Sequence, residues 1–129
     1  MIQVNDLNKI AVVGATINTD KFGNIIVRNL KSKGYDVVPV TPKYEQVEGI
    51  PTVKDVSDLP KDVDLIVFVI PPEVGILELE KAYKAGFRKF WFQPGAESDT
   101  IVELSRKLSD AEFSFVRCIM VETKARHNA

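Results

Sequence analysis

"KIAVVGATINTDKFGNIIVRNL", residues 9–30, passes from an apolar run through one glycine and a polar loop into a helical pattern. The run before Gly14 predicts a strand, and Phe22, Ile26 and Leu30 recur every four residues, on one face of a helix. A strand, a polar loop and a helix in this order form the first part of a β-α-β unit. The stretch therefore predicts an α/β fold in which this loop is a candidate ligand site.

The alternation of strand and helix patterns continues along the chain. Helical periodicity predicts further helices at about 74–85 and 98–108. The middle β-rich runs are apolar on both faces, which is typical of a parallel sheet covered on both sides. Right-handed crossovers then give a doubly wound, mostly parallel α/β sheet in a single domain, residues 1–129. Its strands are predicted at 9–13, 36–40, 64–70, 89–93 and 113–117.

Two stretches depart from this alternation. Residues 49–53 predict a short edge strand, and the following residues predict a brief helix that Pro60 ends. The tail from Glu122 has little apolar content, so we expect it to fray.

Composition narrows the class of function. The 129 residues include 17 basic and 18 acidic side chains, scattered along the chain, which argues against a nucleic-acid or membrane-surface partner. The one cysteine, Cys118, cannot form an internal disulfide, and the sequence shows neither a signal-peptide pattern nor a long apolar run. We expect a cytoplasmic chain that binds a small molecule or a protein.

Four loops are candidates for the ligand site. In a doubly wound sheet the ligand crevice lies at the carboxyl ends of the strands, where strand order reverses. Applied to the predicted strands, that rule selects the loops 14–24, 41–45, 71–75 and 93–97.

The first of these loops can hold a diphosphate. Gly14 and Gly23 allow close approach of the backbone, Thr16 and Asn18 offer short polar side chains, and a helix N-terminus follows. The dinucleotide fingerprint G-x-G-x-x-G is not met, because Thr16 and Thr19 stand at its second and third glycines, which argues against NAD or FAD. The alternative is that the glycines serve only a tight turn.

The second loop carries a cation where NAD-binding sheets carry an acidic residue. Thr41, Pro42 and Lys43 follow the second strand, and Lys43 suits a ribose that bears an extra phosphate. Such a ribose occurs in NADP, as the 2′-phosphate, and in coenzyme A, as the 3′-phosphate. The alternative is an ordinary solvated lysine.

The third and fourth loops are rich in proline and glycine. Ile70 precedes Pro71 and Pro72, which form a stiff apolar lip on which an adenine can lie. Gln93 would direct a neutral amide into the same crevice, and Gly95 lies in the turn that follows. The alternative in both places is a rigid turn from strand to helix.

These four loops together resemble the small CoA-binding domain proteins, a family related to the CoA-binding portion of the succinyl-CoA synthetase α-subunit. The resemblance extends from Lys9 to about Glu122 and implies a Rossmann-like domain. It also implies a nucleotide ligand, CoA or an acyl-CoA, with the diphosphate on the first loop, Lys43 on a phosphate and the adenine near Pro71 and Pro72. The matching residues are 13–16 with Gly23 and Asn24, 39–43, 70–73 and 91–95, including Gly14, Ala15 and Thr16.

The sequence offers no group of residues suited to catalysis. His127 is the only histidine and lies in the polar tail, which excludes a Ser-His-Asp arrangement and a two-histidine metal site. Where the family often shows a cysteine followed by proline, Cys118 here precedes Ile119, and a buried structural thiol is the expectation. We therefore predict a non-catalytic binding module without a metal. The alternative is an NADP-binding protein or an oxidoreductase-related module.

Overall fold

The computed structural model describes residues 2–126. A main parallel sheet, a small hairpin and four helices make up these residues, together with 3-10 turns at Val4–Asp6 and Val56–Asp58. In chain order the elements are β1 (Lys9–Val13), α1 (Phe22–Ser32), β2 (Asp36–Val40), β3 (Gln46–Val47), β4 (Ile50–Pro51), β5 (Leu65–Phe68), α2 (Pro72–Lys84), β6 (Lys89–Phe92), α3 (Asp99–Lys107), β7 (Glu112–Ser114) and α4 (Ile119–Glu122).

The main sheet has the strand order β2-β1-β5-β6-β7, and every neighbouring pair is parallel. This order confirms the predicted doubly wound parallel sheet. Strand order reverses at β1, which lies between β2 and β5. Val13 is in register with both Val40 and Phe68, so the three strands end at one level and their following loops begin side by side.

Side chains that alternate along the strands form an apolar layer on each face of the sheet. Ile10 and Val12 of β1 are buried in one layer, which α1 and α4 cover. Ala11 and Val13 are buried in the other layer, which α2 and α3 cover. The central strands β1, β5 and β6 are therefore buried on both faces, and the carboxyl edge of the sheet is the open place for a ligand.

The segment between β2 and β5 differs from the prediction in its strand pairing and in the type of its helical turn. The predicted edge strand at 49–53 contains β4, which pairs with β3 as an antiparallel hairpin, and Val53, which makes a parallel bridge to Val40 of the main sheet. The predicted brief helix is the 3-10 turn Val56–Asp58. It ends before Pro60, because the residue before a proline is driven to extended backbone, as Leu59 is.

The last strand and the tail differ from the predictions. The predicted strand at 113–117 is wrong in its second half, because Val116 has a φ of 61°, which is incompatible with a strand. Fraying of the tail is also wrong for 122–126. The Arg126 guanidinium donates to the Leu7 carbonyl at 3.0 Å, and Lys33 Nζ donates to the Thr123 carbonyl at 2.9 Å. His127 lies outside the described residues.

No helix within residues 2–126 is long and apolar enough to cross a membrane.

Candidate functional site

A crevice of about 620 Å³ opens at the carboxyl ends of β1, β2 and β5. Its volume lies in the range of sites for cofactors and other small molecules. Strand order reverses at this place, so the crevice lies where the rule for doubly wound sheets puts a ligand. The lining comes from residues 13–16, 40–44, 54–55 and 69–71, with Val74, Glu78 and Lys81 of α2.

A second cavity of about 410 Å³ adjoins the crevice. It is lined by residues 69–73 and 93–96, at the ends of β5 and β6. Val69, Ile70 and Pro71 line both cavities and form the ridge between them. The two cavities together make an elongated site across the edge of the sheet, which suits a long ligand better than a compact one.

Gly14 and Gly23 allow the first loop to pack tightly against its neighbours. Gly14 has a φ of 99°, and a Cβ atom there would lie 2.5 Å from the Val69 carbonyl oxygen and 2.7 Å from Ile70 Cγ2. A Cβ atom at Gly23 would overlap the Gly14 carbonyl oxygen. Both glycines are therefore needed for the loop to fit between β5 and α1, whether or not a ligand is bound.

The same loop leaves several donors open. The backbone N–H groups of Ala15, Thr16 and Ile17 have no acceptor among residues 2–126. α1 follows with Lys21 at its N-cap, and the Lys21 side chain makes no capping hydrogen bond. Open N–H groups and the positive end of a helix dipole attract an anion, so this loop has the chemistry of a phosphate site.

The polar side chains of the first loop stabilise the loop itself. Thr16 Oγ1 accepts from the Asn18 N–H at 3.2 Å, and Asn18 Oδ1 accepts from the Asp20 N–H at 3.0 Å. Thr16 still lines the crevice, whereas the exposed Asn18 does not. These contacts set the path of the backbone and so the direction of its N–H groups.

Asn24 is fully buried and holds the loop from behind. Its Nδ2 donates to the Thr16 carbonyl at 2.9 Å and to Glu48 Oε2 at 3.0 Å, and its Oδ1 accepts from Arg28 Nε at 2.6 Å. Arg28 also donates to the Thr19 carbonyl at 3.0 Å. All of the Asn24 amide contacts are thus within the protein, and its position fits a role in shaping the loop.

The second loop presents an unpaired cation. Thr41 is buried, and its Oγ1 accepts from the Lys43 N–H at 3.2 Å. Pro42 and Lys43 are exposed and line the crevice. Lys43 Nζ has no ion-pair or hydrogen-bond partner in the described part of the chain. Its charge is therefore available to an anionic ligand.

The far wall of the crevice carries charges that the sequence analysis did not single out. Lys81 Nζ lies 2.5 Å from Asp55 Oδ1 and 2.8 Å from Glu78 Oε2. Mainly because Lys81 donates to this carboxylate, the pKa of Asp55 falls to about 2, and the pKa of Lys81 is raised in turn. Lys54 is paired with Glu45 at 3.0 Å. The spacing of Glu78 and Lys81 on one helix was a usable signal, but their proximity to Asp55 depends on the fold.

Pro71 and Pro72 form a turn that begins α2. Pro71 is the N-cap and lines both cavities, and Pro72 is the first residue of the helix, two residues earlier than the sequence predicts. Proline is suited to this place because the first N–H groups of a helix have no acceptor in the helix. The exposed Val74 adds a further apolar group beside Pro71.

Gln93 corrects an expectation about the fourth loop. It borders the second cavity but is buried, with Oε1 accepting from the Ile119 N–H at 2.7 Å and Nε2 donating to Cys118 Sγ at 3.4 Å. Its amide is therefore directed at the start of α4 instead of into the crevice. Gly95 borders the same cavity and donates its N–H to Glu97 at 3.0 Å.

The predicted site residues fall into three groups. Those in the first group line the crevice, those in the second line only the second cavity, and those in the third lie behind or beside the first loop. The groups are, in this order, Gly14, Ala15, Thr16, Thr41, Pro42, Lys43, Ile70 and Pro71; Pro72, Gln93 and Gly95; and Asn18, Gly23 and Asn24.

Known proteins of similar sequence include two acetate–CoA ligases of the ADP-forming type. Enzyme I of Archaeoglobus fulgidus is 31% identical over 108 residues, which are 76% of this chain and 16% of the ligase. Subunit alpha of enzyme II of Pyrococcus furiosus is 33% identical over 109 residues, again 76% of this chain and 24% of that subunit. The chain thus spans less than a quarter of the length of these relatives.

A solved structure resembles the whole fold. A conserved hypothetical protein from Pyrococcus furiosus is 54% identical, with a TM-score of 0.88, and the alignment covers 90% of this chain and 99% of that one. Residues 8–124 match the sequence model of a family described as "CoA binding domain". This chain therefore belongs to the CoA binding domain family.

Proposed function

We propose that this chain is a stand-alone, non-catalytic protein that binds CoA or an acyl-CoA in the elongated site at the carboxyl edge of the sheet. The observation that carries the proposal is the pairing of two unlike features across the crevice. Ala15 and Thr16, whose N–H groups are open, line one side, and the unpaired Lys43 lies on the other. A ligand with a diphosphate and a separate ribose phosphate complements both.

The shape of the site supports CoA as the ligand. Adenine and ribose phosphate would occupy the crevice beside Lys43, and the diphosphate would lie on the first loop. The rest of a CoA molecule is a long flexible chain, and the second cavity beyond Pro71 offers room for it. NADP shares the extra phosphate, so Lys43 alone does not separate the two ligands, whereas membership of the CoA binding domain family favours CoA.

The side chains of the crevice support a role in binding without catalysis. Its carboxylates, Asp55 and Glu78, are paired with Lys81, and its remaining lining is apolar residues and glycine, threonines, lysines and Tyr44. The stand-alone form is supported by the Pyrococcus furiosus protein that this chain covers at 99%. Incubation with acetyl-CoA, ADP and phosphate should therefore release no CoA and form no ATP, and turnover would refute the non-catalytic part.

Ligand-dependent stability tests the choice of nucleotide. A ligand that binds only the native state stabilises it by about 2.7 kcal/mol at a hundredfold excess over Kd. Thermal melts with CoA, acetyl-CoA, NADP and NAD at equal concentrations should show a rise in Tm with CoA or acetyl-CoA and none with NAD. A rise in Tm with NADP and none with CoA or acetyl-CoA would overturn the proposal.

A further inference from the structure

The tip of the β3–β4 hairpin carries a residue that its backbone does not favour. Glu48 and Gly49 form a two-residue turn, with φ of 51° and 77°. Positive φ at both positions is the pattern of a type I′ turn, in which Asn, Asp or Gly is preferred at the first position. Glutamate there stores conformational strain, so another contact must favour it.

That contact is with α1. Glu48 Oε2 accepts from Asn24 Nδ2 at 3.0 Å, and the Glu48 carbonyl accepts from Lys31 Nζ at 2.7 Å. Asparagine or aspartate at this position would be one methylene shorter and would not span the distance to Asn24. The length of the glutamate side chain therefore explains why a less favourable residue stands in the turn.

Asn24 passes the constraint to the first loop. Its Nδ2 donates to both Glu48 Oε2 and the Thr16 carbonyl. The Thr16 carbonyl and the Ile17 N–H belong to one planar peptide group, so holding this carbonyl also sets the direction of the Ile17 N–H, which has no acceptor among residues 2–126. Glu48 thus acts on the loop that offers donors to an anion.

The hairpin is also hydrogen-bonded to the second loop. Thr52 Oγ1 donates to the Tyr44 carbonyl at 2.5 Å, and the Thr52 N–H donates to the Glu45 carbonyl at 3.1 Å. Tyr44 lines the crevice directly after Lys43. The hairpin is therefore bonded at its base to the loop that carries Lys43 and at its tip, through Glu48, to the loop that carries the open N–H groups.

We propose that Glu48 is a positioning residue for the nucleotide: through Asn24 it fixes the first loop relative to the second, so that both present their groups to one ligand. This inference rests on the proposed function, because it concerns the same crevice. Glu48 itself does not line the crevice, so it acts without touching the ligand.

A matched pair of variants tests the proposal. Glu48→Asn fits the type I′ turn better than glutamate but is too short to reach Asn24. Its Tm should stay close to that of the parent, because the relief of turn strain offsets the lost hydrogen bond to Asn24, while its affinity for CoA should fall on the order of tenfold. Glu48→Gln keeps the length, an acceptor oxygen and the unfavourable backbone. It should bind CoA within about threefold of the parent.

Hydrogen exchange of the ligand-free proteins gives a second measure. The hydrogen-bonded amides of the first loop, those of Asn18, Asp20 and Lys21, should exchange faster in Glu48→Asn than in the parent and at the parental rate in Glu48→Gln. If Glu48→Asn keeps both the parental exchange and the parental affinity, the proposal is overturned. If the parent binds no CoA, the proposed function fails instead, and faster exchange in Glu48→Asn alone still supports the positioning role.

Discussion

The two loops that face each other across the crevice are built in opposite ways. In the first loop, Thr16 and Asn18 bond to their own backbone, and Asn24 bonds to the loop from below. What the first loop offers a ligand is backbone N–H groups. In the second loop the backbone is closed by Thr41, and what it offers is the free ammonium of Lys43.

This difference separates residues that shape a site from residues that touch a ligand. A backbone donor needs a rigid frame, because its direction is set by the whole loop, so the polar and glycine residues around it serve the frame. A lysine at the end of a flexible side chain needs no such frame. Substitutions in the first loop should therefore affect folding and binding together, and substitution of Lys43 should affect binding alone.

The largest effect is expected for Gly14→Ala. The added methyl group would lie 2.5 Å from the Val69 carbonyl oxygen, and the φ of 99° adds strain. We expect the free energy of unfolding to fall by at least about 3 kcal/mol. Urea denaturation measures this change.

Gly86→Ala is the matched control for that substitution. Gly86 has a φ of 105°, close to that of Gly14, but a Cβ atom there meets nothing within 4 Å. Gly86→Ala should lower the free energy of unfolding only by the strain of the left-handed backbone, about 1–2 kcal/mol. Equal costs at the two positions would show that Gly14 is not needed for packing.

Lys43→Ala should have the next largest effect, and only on binding. Loss of one charge-assisted hydrogen bond costs roughly 1.5–3 kcal/mol, so CoA affinity should fall about tenfold to a hundredfold while the Tm of the free protein stays unchanged. Titration calorimetry with CoA and with dephospho-CoA, which lacks the ribose phosphate, measures the coupling. The parent should prefer CoA, and the variant should hardly distinguish the two.

Lys54→Ala supplies a comparison with a second lysine that lines the crevice. Lys54 also lines the crevice, but its ammonium is paired with Glu45 at 3.0 Å. We expect a smaller loss of CoA affinity than for Lys43→Ala. If Lys54→Ala removes the preference for CoA over dephospho-CoA and Lys43→Ala does not, Lys54 binds the ribose phosphate and our assignment of Lys43 is wrong.

The sequence predicted the sheet and the position of the crevice because both follow from local patterns. Apolar strands that alternate with helices predict a doubly wound parallel sheet, and in such a sheet the ligand crevice lies at the carboxyl edge. The sequence did not predict the contact of Glu48 with Asn24, the ion pair of Asp55 and Lys81, or the hydrogen bond from Arg126 to Leu7. Each of these contacts joins residues far apart in the chain, and nothing in the local pattern of either partner reveals the other.

Gln93 is a residue whose position was predicted but whose side-chain direction was not. Its place after β6 was correctly predicted, but the direction of its amide depends on α4, a four-residue helix with too little periodicity to be seen in the sequence. A position in a loop can thus be derived from local pattern, whereas the orientation of a side chain requires its long-range partner.

The smallest expected effect concerns the paired wall of the crevice and its dependence on pH. Lys81 holds the pKa of Asp55 at about 2, below its ordinary value of 3.8, so the pair stabilises the fold above about pH 4 and this stabilisation is lost as the pH falls toward 2. Because Lys81 is about half exposed, the contribution should not exceed about 1 kcal/mol. Asp55→Asn keeps an oxygen for the Ser57 N–H and removes the charge. Urea unfolding should show the variant less stable than the parent at pH 7, with the difference shrinking toward pH 3. A difference that is the same at both pH values would mean that the loss comes from packing and that the ion pair contributes nothing.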